Sequence, residues 1–508
     1  MNIAQWLYAR AQLTPDAPAL LQGSTLMADY GQFAAQACSV AQSLRHDHGI
    51  QPGDRIALYM PNRIEQLVLM YAAWWVGAVI VPINYKLHAK EAAWIADNAE
   101  ASLVFSDDGQ SLREVSLPQG CREFGVDTPD YKALLDDGHA VAAPIPLGAD
   151  TLAWLFYTSG TTGRPKGVML THDNLIAMSL CYAVDVAEAS QHDAVLYAAP
   201  MSHGAGLYNF TFVRVGARHV VPATRGFDCA EILDLAKQLG DVSMFAAPTM
   251  VKRLVAAVKT SGSDGAGIKS IICGGAPMYA ADFIQALDAL GPKFAQIYGQ
   301  GESPMTISAM RCELIGDREH PQWGARIASV GTAQSCIELR IVDENLHDVA
   351  LGTHGEVLVR GRTVMQGYWR NSEATHETLI DGWLRTGDIG YLSEAGFLTL
   401  TDRSKDVIIS GGTNIYPREV EEVLSRHPDV FEVAVVGSPH PEWGEEVVAF
   451  VVSRKSISVD AATLEAWCRA EIASFKKPKR YVFCQDLPKN SYGKILKTAL
   501  REAANESV

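Results

Sequence analysis

A chain of 508 residues is too long for a single hydrophobic core, so two or more domains are expected. Apolar residues make up 48% and charged residues 20%, a globular balance that excludes a disordered chain. The net charge of −15 and pI near 5.4 argue against a nucleic-acid-binding surface, although a local basic cleft can still hold an anionic ligand.

The first residues, Met1-Asn2-Ile3-Ala4-Gln5-Trp6, lack the basic and apolar regions of a signal peptide. The longest apolar run, 67–83, is broken by Gly77 and Pro82 and falls short of the ~20 residues a membrane span needs. It reads as a buried helix ending near Gly77 and a buried strand over 78–81. Nine cysteines are scattered singly, with no CxxC pair, which indicates neither a zinc site nor a disulfide framework and fits a reducing cytoplasm.

From residue 1 to about 330, helical patterns alternate with short β-branched runs. Strands are expected at 55–60 and 101–105, with helices at 64–76 and 89–98. Further strands are expected at 194–198, 219–221, 242–245, 268–273 and 294–298. Such alternation predicts mostly parallel sheets covered on both faces. Between about 330 and 402 the strands 337–342, 355–360 and 397–400, separated by turn residues, predict an antiparallel sheet or small barrel. The last hundred residues have an αβ pattern of their own and suffice for a small domain. The expected fold is α/β: a large N-terminal domain over 1–402, with two βα-type sheets and the barrel-like part, followed by a small α+β domain over 403–508.

One stretch organises the chemistry: Thr158-Ser159-Gly160-Thr161-Thr162-Gly163-Arg164-Pro165-Lys166-Gly167. It follows a buried strand at 153–157 and precedes a helix that Thr171 or Asn174 can cap. Its glycines let the backbone approach a polyphosphate, its amides and hydroxyls supply donors, and Lys166 adds a positive charge. Pro165 before the lysine and Gly167 after it exclude a Walker A loop. Downstream, Glu302 beside a polyphosphate would be repelled unless it held a metal, so it reads as a Mg²⁺ ligand. Tyr298 offers a flat face to adenine.

The stretch resembles the phosphate loop of the adenylate-forming superfamily: acyl-CoA synthetases, nonribosomal-peptide adenylation domains and luciferases. Other segments follow in family order. Gly274-Gly275-Ala276-Pro277 matches Gly-Gly-Ala-Pro, which serves both the nucleotide and the acid pocket. Pro200-Met201-Ser202-His203-Gly204-Ala205-Gly206 resembles Pro-x-x-His-x-x-Gly and implies that His203 sits near the reacting carboxylate. Tyr298-Gly299-Gln300-Gly301-Glu302 resembles Tyr-Gly-x-Thr-Glu but carries Gly301 where the family has Thr. The lost phosphate contact must then come from backbone, water, or a neighbour such as Gln300 or Ser303. Trp383-Leu384-Arg385-Thr386-Gly387-Asp388 implies that Asp388 accepts from the ribose hydroxyls, and Arg403 matches a nucleotide contact. Lys405 matches the hinge of a mobile C-terminal domain. Gly411-Gly412 match the pantetheine tunnel, reached by a flexible turn before a helix. Leu487-Pro488-Lys489-Asn490-Ser491-Tyr492-Gly493-Lys494-Ile495 makes Lys494 the catalytic lysine. Lys86 and Trp443 resemble CoA contacts of aryl-CoA ligases, and the basic cluster 475–480 adds Lys477 as a further CoA candidate.

The resemblance implies an ATP-dependent carboxylic acid:CoA ligase working through an acyl-adenylate with Mg²⁺, and it is compatible with a homodimer. Rival readings are a carrier-protein or oxygen acceptor, and a non-catalytic nucleotide-binding regulator, against which Lys494, Glu302 and Asp388 speak. Small and apolar residues after His203, around 245–248 and over 274–301, predict a neutral fatty or aromatic acid. An inward-facing Arg214 or Arg218 would instead predict a dicarboxylate.

Overall fold

The computed structural model describes residues 1–107, 112, 115–135, 141–158, 164–276, 278–411, 413–454, 459–490 and 494–506. Ser159, Gly160, Thr161, Thr162, Gly163, Pro277 and Gly412 lie outside the described residues.

The described strands form four sheets. One has six strands in the order Arg122–Gly125, Ala101–Ser106, Arg55–Met60, Val79–Asn84, Leu152–Thr158, Lys166–Thr171. The first five run parallel, and the last returns as a hairpin. Every residue of Val79–Asn84 is buried, as is the helix from Gln66 to Trp75 that precedes it. This accounts for the long apolar run: a central parallel strand and its covering helix have no wet face to alternate with. Trp74 packs at 6.3 Å from Trp154 and 5.1 Å from Phe210, locking helix, sheet and neighbouring layer together.

The larger sheet has nine strands. Its centre, Phe294–Gln300, Ile268–Cys273, Val242–Ala246, Ala194–Leu196, Arg218–Val221 and Pro18–Gln22, is parallel. Antiparallel strands close both ends: Ser303–Met310 with Thr332–Ala333 on one side, and Thr25–Asp29 on the other. The expectation of parallel pairing therefore holds for the middle of these two sheets, while antiparallel strands close one edge of the smaller and both edges of the larger. The chain after Tyr298 continues to Gln300 and turns tightly at Gly301-Glu302 into the antiparallel strand Ser303–Met310.

Residues 337–403 form an antiparallel sheet of Ile337–Val342, Gly355–Gly361, Trp383–Leu392, Leu379–Ile380 and Leu398–Arg403. Its register sets Asp388 opposite Arg403. The fourth sheet starts at Ile408 and comprises Thr413–Ile415, Ile408–Ser410, Gly444–Ser453, Val430–His440 and Arg480–Phe483. It packs with the helices Pro417–Ser425, Ala461–Glu471 and Lys497–Glu506 around apolar clusters of its own. The expected flexible turn at Gly411 is the tip of the short hairpin of Ile408–Ser410 and Thr413–Ile415.

Polar contacts join the C-terminal unit to the rest through Asp402 and Tyr279. Lys497 Nζ lies 3.2 Å from Asp402 and 3.1 Å from Glu421, and Tyr279 donates to Glu421 at 3.0 Å. Burial alone would lower the Lys497 pKa, but Glu421 and then Asp402 outweigh it and hold the ammonium up to about 12. Arg501, one helical turn on, pairs with Asp406 at 2.6 Å. No helix among the described residues is long and apolar enough to cross a membrane, and none of the nine cysteines is joined in a disulfide.

Candidate active site

Thr158 and Lys166 face each other across the hairpin Leu152–Thr158 and Lys166–Thr171, so they form the two rims of the glycine-threonine stretch. The helix that follows, His172–Cys181, begins with a reciprocal cap. The Thr171 hydroxyl accepts from the Asn174 amide, and the Asn174 side chain accepts from the Thr171 amide. The Lys166 ammonium lies 4.9 Å from the centre of the Tyr368 ring, whose hydroxyl donates to Glu302 at 2.6 Å. A cation, a ring and a carboxylate thus line up beside the loop's rim. The backbone of 365–369 is bound here too: Met365 N donates to the Glu302 carbonyl at 2.8 Å and Trp369 N to that of Gly167 at 2.7 Å. Tyr368 carries no motif, and sequence reading missed it.

The turn at Gly301 explains the departure from Tyr-Gly-x-Thr-Glu. A Cβ at 301 would overlap the Thr158 methyl and sit 3.1 Å from Phe156 Cδ1. Thr158 therefore occupies the space a side chain at 301 would need. The two neighbours expected to replace the missing hydroxyl are engaged elsewhere. Gln300 Nε2 donates to Asp388 at 2.6 Å and to the Thr386 carbonyl at 2.8 Å, while Ser303 pairs with Thr363 at 2.9 Å.

Asp388 is the hub. It is buried, and its Oδ2 accepts from the Tyr298 hydroxyl at 2.5 Å and from Gln300 at 2.6 Å. Arg403 Nε approaches Oδ1 at 3.2 Å, as the strand register dictates. Burial, followed by the Asp388 charge, pushes the Tyr298 phenol well above its ordinary value, so it stays a donor. Three strands from two sheets thus meet at one carboxylate.

Lys494 faces this hub. Asn490 brackets it, accepting from the Lys494 amide at 2.9 Å and donating its own amide to the Lys494 carbonyl at 2.8 Å. Arg403, Asp388, Lys405 and Asp406 all lie within electrostatic reach of its ammonium. Lys494 is solvent-exposed, yet surrounding protein mass, followed by repulsion from Arg403, brings its pKa down to about 8. Lys405 is exposed between the pairs made by Asp402 and Asp406.

His203 begins the short helix Gly204–Leu207, with Phe156 5.0 Å away ring to ring. Burial lowers its pKa to about 3, so the imidazole is neutral at physiological pH and offers hydrogen bonds rather than charge. Beyond it a small cavity is lined by Ala205, Tyr208, Phe245 and Ile272, in the region read from sequence as the acid pocket. Gly275, at φ +83°, lies past the end of the strand Ile268–Cys273, followed by half-buried Ala276. Gly299 lies within the strand Phe294–Gln300. Arg214 is exposed, and Arg218 is spent on the carbonyls of Leu239 and His192, so neither arginine faces the pocket.

Of the thiol-side candidates, Gly411 and Trp443 are brought together, and Lys477 and Lys86 stand apart from them. Gly411 bonds to the Trp443 carbonyl at 2.8 Å, and Trp443 stacks on His440 and under Lys479. Lys477 is buried and paired with Glu465 at 2.9 Å. Lys476 and Arg480 also have acidic partners, Glu419 and Glu446, so the basic cluster is largely neutralised internally. Lys86 rests on Tyr85, and among the described residues no hydrogen bond or ion pair joins it to Gly411, Trp443 or Lys477.

The sequence matches the AMP-binding enzyme family over residues 7–369 and the AMP-binding enzyme C-terminal domain over 419–494. It is 34% identical to a feruloyl-CoA synthase of Amycolatopsis sp over 98% of both chains. It is 32% identical to the fatty acid–[acyl-carrier-protein] ligase ScoC of Streptomyces coeruleorubidus, covering 99% of this chain and 96% of that one. The fold superposes on ATP-bound MatB from Rhodopseudomonas palustris with a TM-score of 0.87 and 31% identity over the whole of both chains.

Proposed function

The chain belongs to the AMP-binding enzyme family, and we propose from that premise that it is an ATP-dependent carboxylic acid:CoA ligase. A carboxylate has no good leaving group, so it is activated first. Its oxygen attacks the α-phosphorus of ATP, the bond to the pyrophosphate oxygen breaks, and acyl-adenylate and pyrophosphate result. The CoA thiolate then attacks the acyl carbon, and AMP leaves.

The observation that carries this reading is Lys494, whose ammonium lies within electrostatic reach of the Asp388–Arg403 pair. An ammonium here would neutralise charge between the acid and the α-phosphate, a contribution typically worth several kcal/mol. Asp388 would take the ribose hydroxyls, exchanging its present donors Tyr298 and Gln300 for them in part, with Arg403 beside it. Thr158, Lys166 and the intervening loop would hold the leaving pyrophosphate. A single carboxylate next to phosphates suits Mg²⁺, which keeps most of its waters, and Glu302 is held in place by Tyr368. Bound there, the ion would offset phosphate charge.

We place the domain boundary between residues 402 and 403 and the pivot at Lys405. Rotation about it would withdraw Lys494 and bring Gly411 inward for the thiol step, a hinge movement in which Trp443, Lys86 and Lys477 remain candidates for the CoA contact. The nine free thiols support a cytoplasmic setting. A carrier-protein thiol is the second reading for the acceptor, favoured by the similarity to ScoC. The feruloyl-CoA synthase and the outward arginines both favour a neutral monocarboxylic acid.

Lys494→Ala tests the assignment. It should abolish pyrophosphate release from acid and ATP, yet leave thioester formation from supplied acyl-adenylate within a few-fold of wild type. Equal loss of both half-reactions in a folded variant removes the assigned role. Parallel assays with free CoA and with a phosphopantetheinylated carrier protein decide the acceptor.

A further inference from the structure

The cavity beyond His203 is apolar except at one end, where Tyr182, Tyr208 and Ser243 meet. The Tyr182 and Tyr208 rings are in edge contact at 4.8 Å, and the buried Tyr208 hydroxyl has no hydrogen-bond partner among the described residues. The Tyr182 hydroxyl lies beside the Ser243–Ser270 hydroxyl pair, which acts against the burial that raises its pKa. Because Ser270 donates to Ser243 at 2.8 Å, the Ser243 proton is left to bond elsewhere. Tyr182 opens the π-helical turn Tyr182–Val186 that ends the helix His172–Cys181, and such turns frequently mark functional sites.

Buried hydroxyls without partners are costly, and each needs an explanation. Here the two tyrosines share a cavity with free space of about 10 Å³, room for one water-sized group. No charged side chain lines it, so an anionic substituent would be buried without a counter-charge. The rings of Tyr182, Tyr208, Phe212 and Phe245 wall the space with flat surfaces. Phe245 also reaches back to the reacting end: its ring lies 3.6 Å from where a Cβ on Gly204, the residue after His203, would stand.

Resting on the ligase reading above, we propose that the acid is a hydroxylated aromatic monocarboxylate whose hydroxyl, remote from the carboxylate, binds the Tyr208 and Tyr182 hydroxyls. An alkyl chain or an unsubstituted ring brings no hydroxyl to this place and leaves Tyr208 unpaired. The net worth of one such bond is about 1 kcal/mol, or somewhat under tenfold in kcat/KM, and two bonds multiply.

The test is pyrophosphate release with 4-hydroxy- and 4-methyl-substituted benzoates and cinnamates, together with octanoate and a dicarboxylate. The hydroxylated acids should exceed their methyl counterparts by about tenfold or more in kcat/KM, two net hydrogen bonds being at stake. Tyr208→Phe, and independently Tyr182→Phe, should shrink that ratio, the hydroxylated acids losing more kcat/KM than their methyl counterparts. Equal turnover of methyl and hydroxyl acids, preference for octanoate, or a Tyr208→Phe loss common to all acids overturns the proposal while leaving the ligase reading intact. No pyrophosphate with any acid overturns both.

Discussion

Replacing Gly301 by the threonine usual in Tyr-Gly-x-Thr-Glu should harm this protein rather than restore a contact. Nothing in the backbone forbids it, since Gly301 is not among the glycines with positive φ. The obstacle is the Thr158 methyl, which fills the position of the new Cβ, with Phe156 3.1 Å away behind it. Overpacking of this kind costs ~1–3 kcal/mol. Because Thr158 pairs with Lys166 at the rim of the phosphate loop, its displacement should also raise the KM for ATP. Thr158→Ser keeps the hydroxyl and removes only the methyl, at a cost below about 1 kcal/mol. The double variant should then recover most of the loss, giving a coupling of ~1–2 kcal/mol where independent sites would add. Thermal unfolding of the large unit followed with and without ATP, and ATP kinetics by pyrophosphate release, read the cycle. A neutral Gly301→Thr, or strictly additive single and double variants, would refute the steric account.

Three further outcomes follow from the same geometry. Lys494 needs its proton to bridge two anions, and its pKa is down near 8, so kcat/KM for pyrophosphate release should fall as pH rises through about 8; Lys494→Arg should carry that limb out of range, and an unchanged limb would assign it to another group. Asp388→Asn should weaken ATP binding by roughly 10–100-fold, because Arg403 and the ribose both lose a charged partner, as isothermal titration would show. Lys497→Met leaves Asp402 and Glu421 facing each other without a cation, so pyrophosphate release should drop more than thioester formation from supplied acyl-adenylate, and a parallel drop would exclude a role in domain arrangement.

Much of this was legible in the chain. The strand Ile268–Cys273, the helix Ala89–Asn98 and the Thr171 cap follow from local periodicity and capping chemistry, which a sequence displays directly. What it hides is register. Asp388 receives Tyr298 and Gln300 from about ninety residues away, and only strand pairing decides that they converge. Tyr368 has no motif and is recruited to Glu302 because its backbone segment bonds to the strand Lys166–Thr171. The basic run around Lys477 looked like an anion site, but its carboxylate partners Glu419, Glu446 and Glu465 lie on separate elements. The hairpin at Gly411 was missed because strands of three residues leave no readable alternation.

Asp402 and Asp406 lie on either side of Lys405, and both are held by the same helix, through Lys497 and Arg501 one turn apart. A swing about Lys405 carries Asp406 along with Arg501 but draws Lys497 away from Asp402, so one grip travels with the small unit while the other must break. That single ion pair acts as a latch, and its hold should weaken as salt rises.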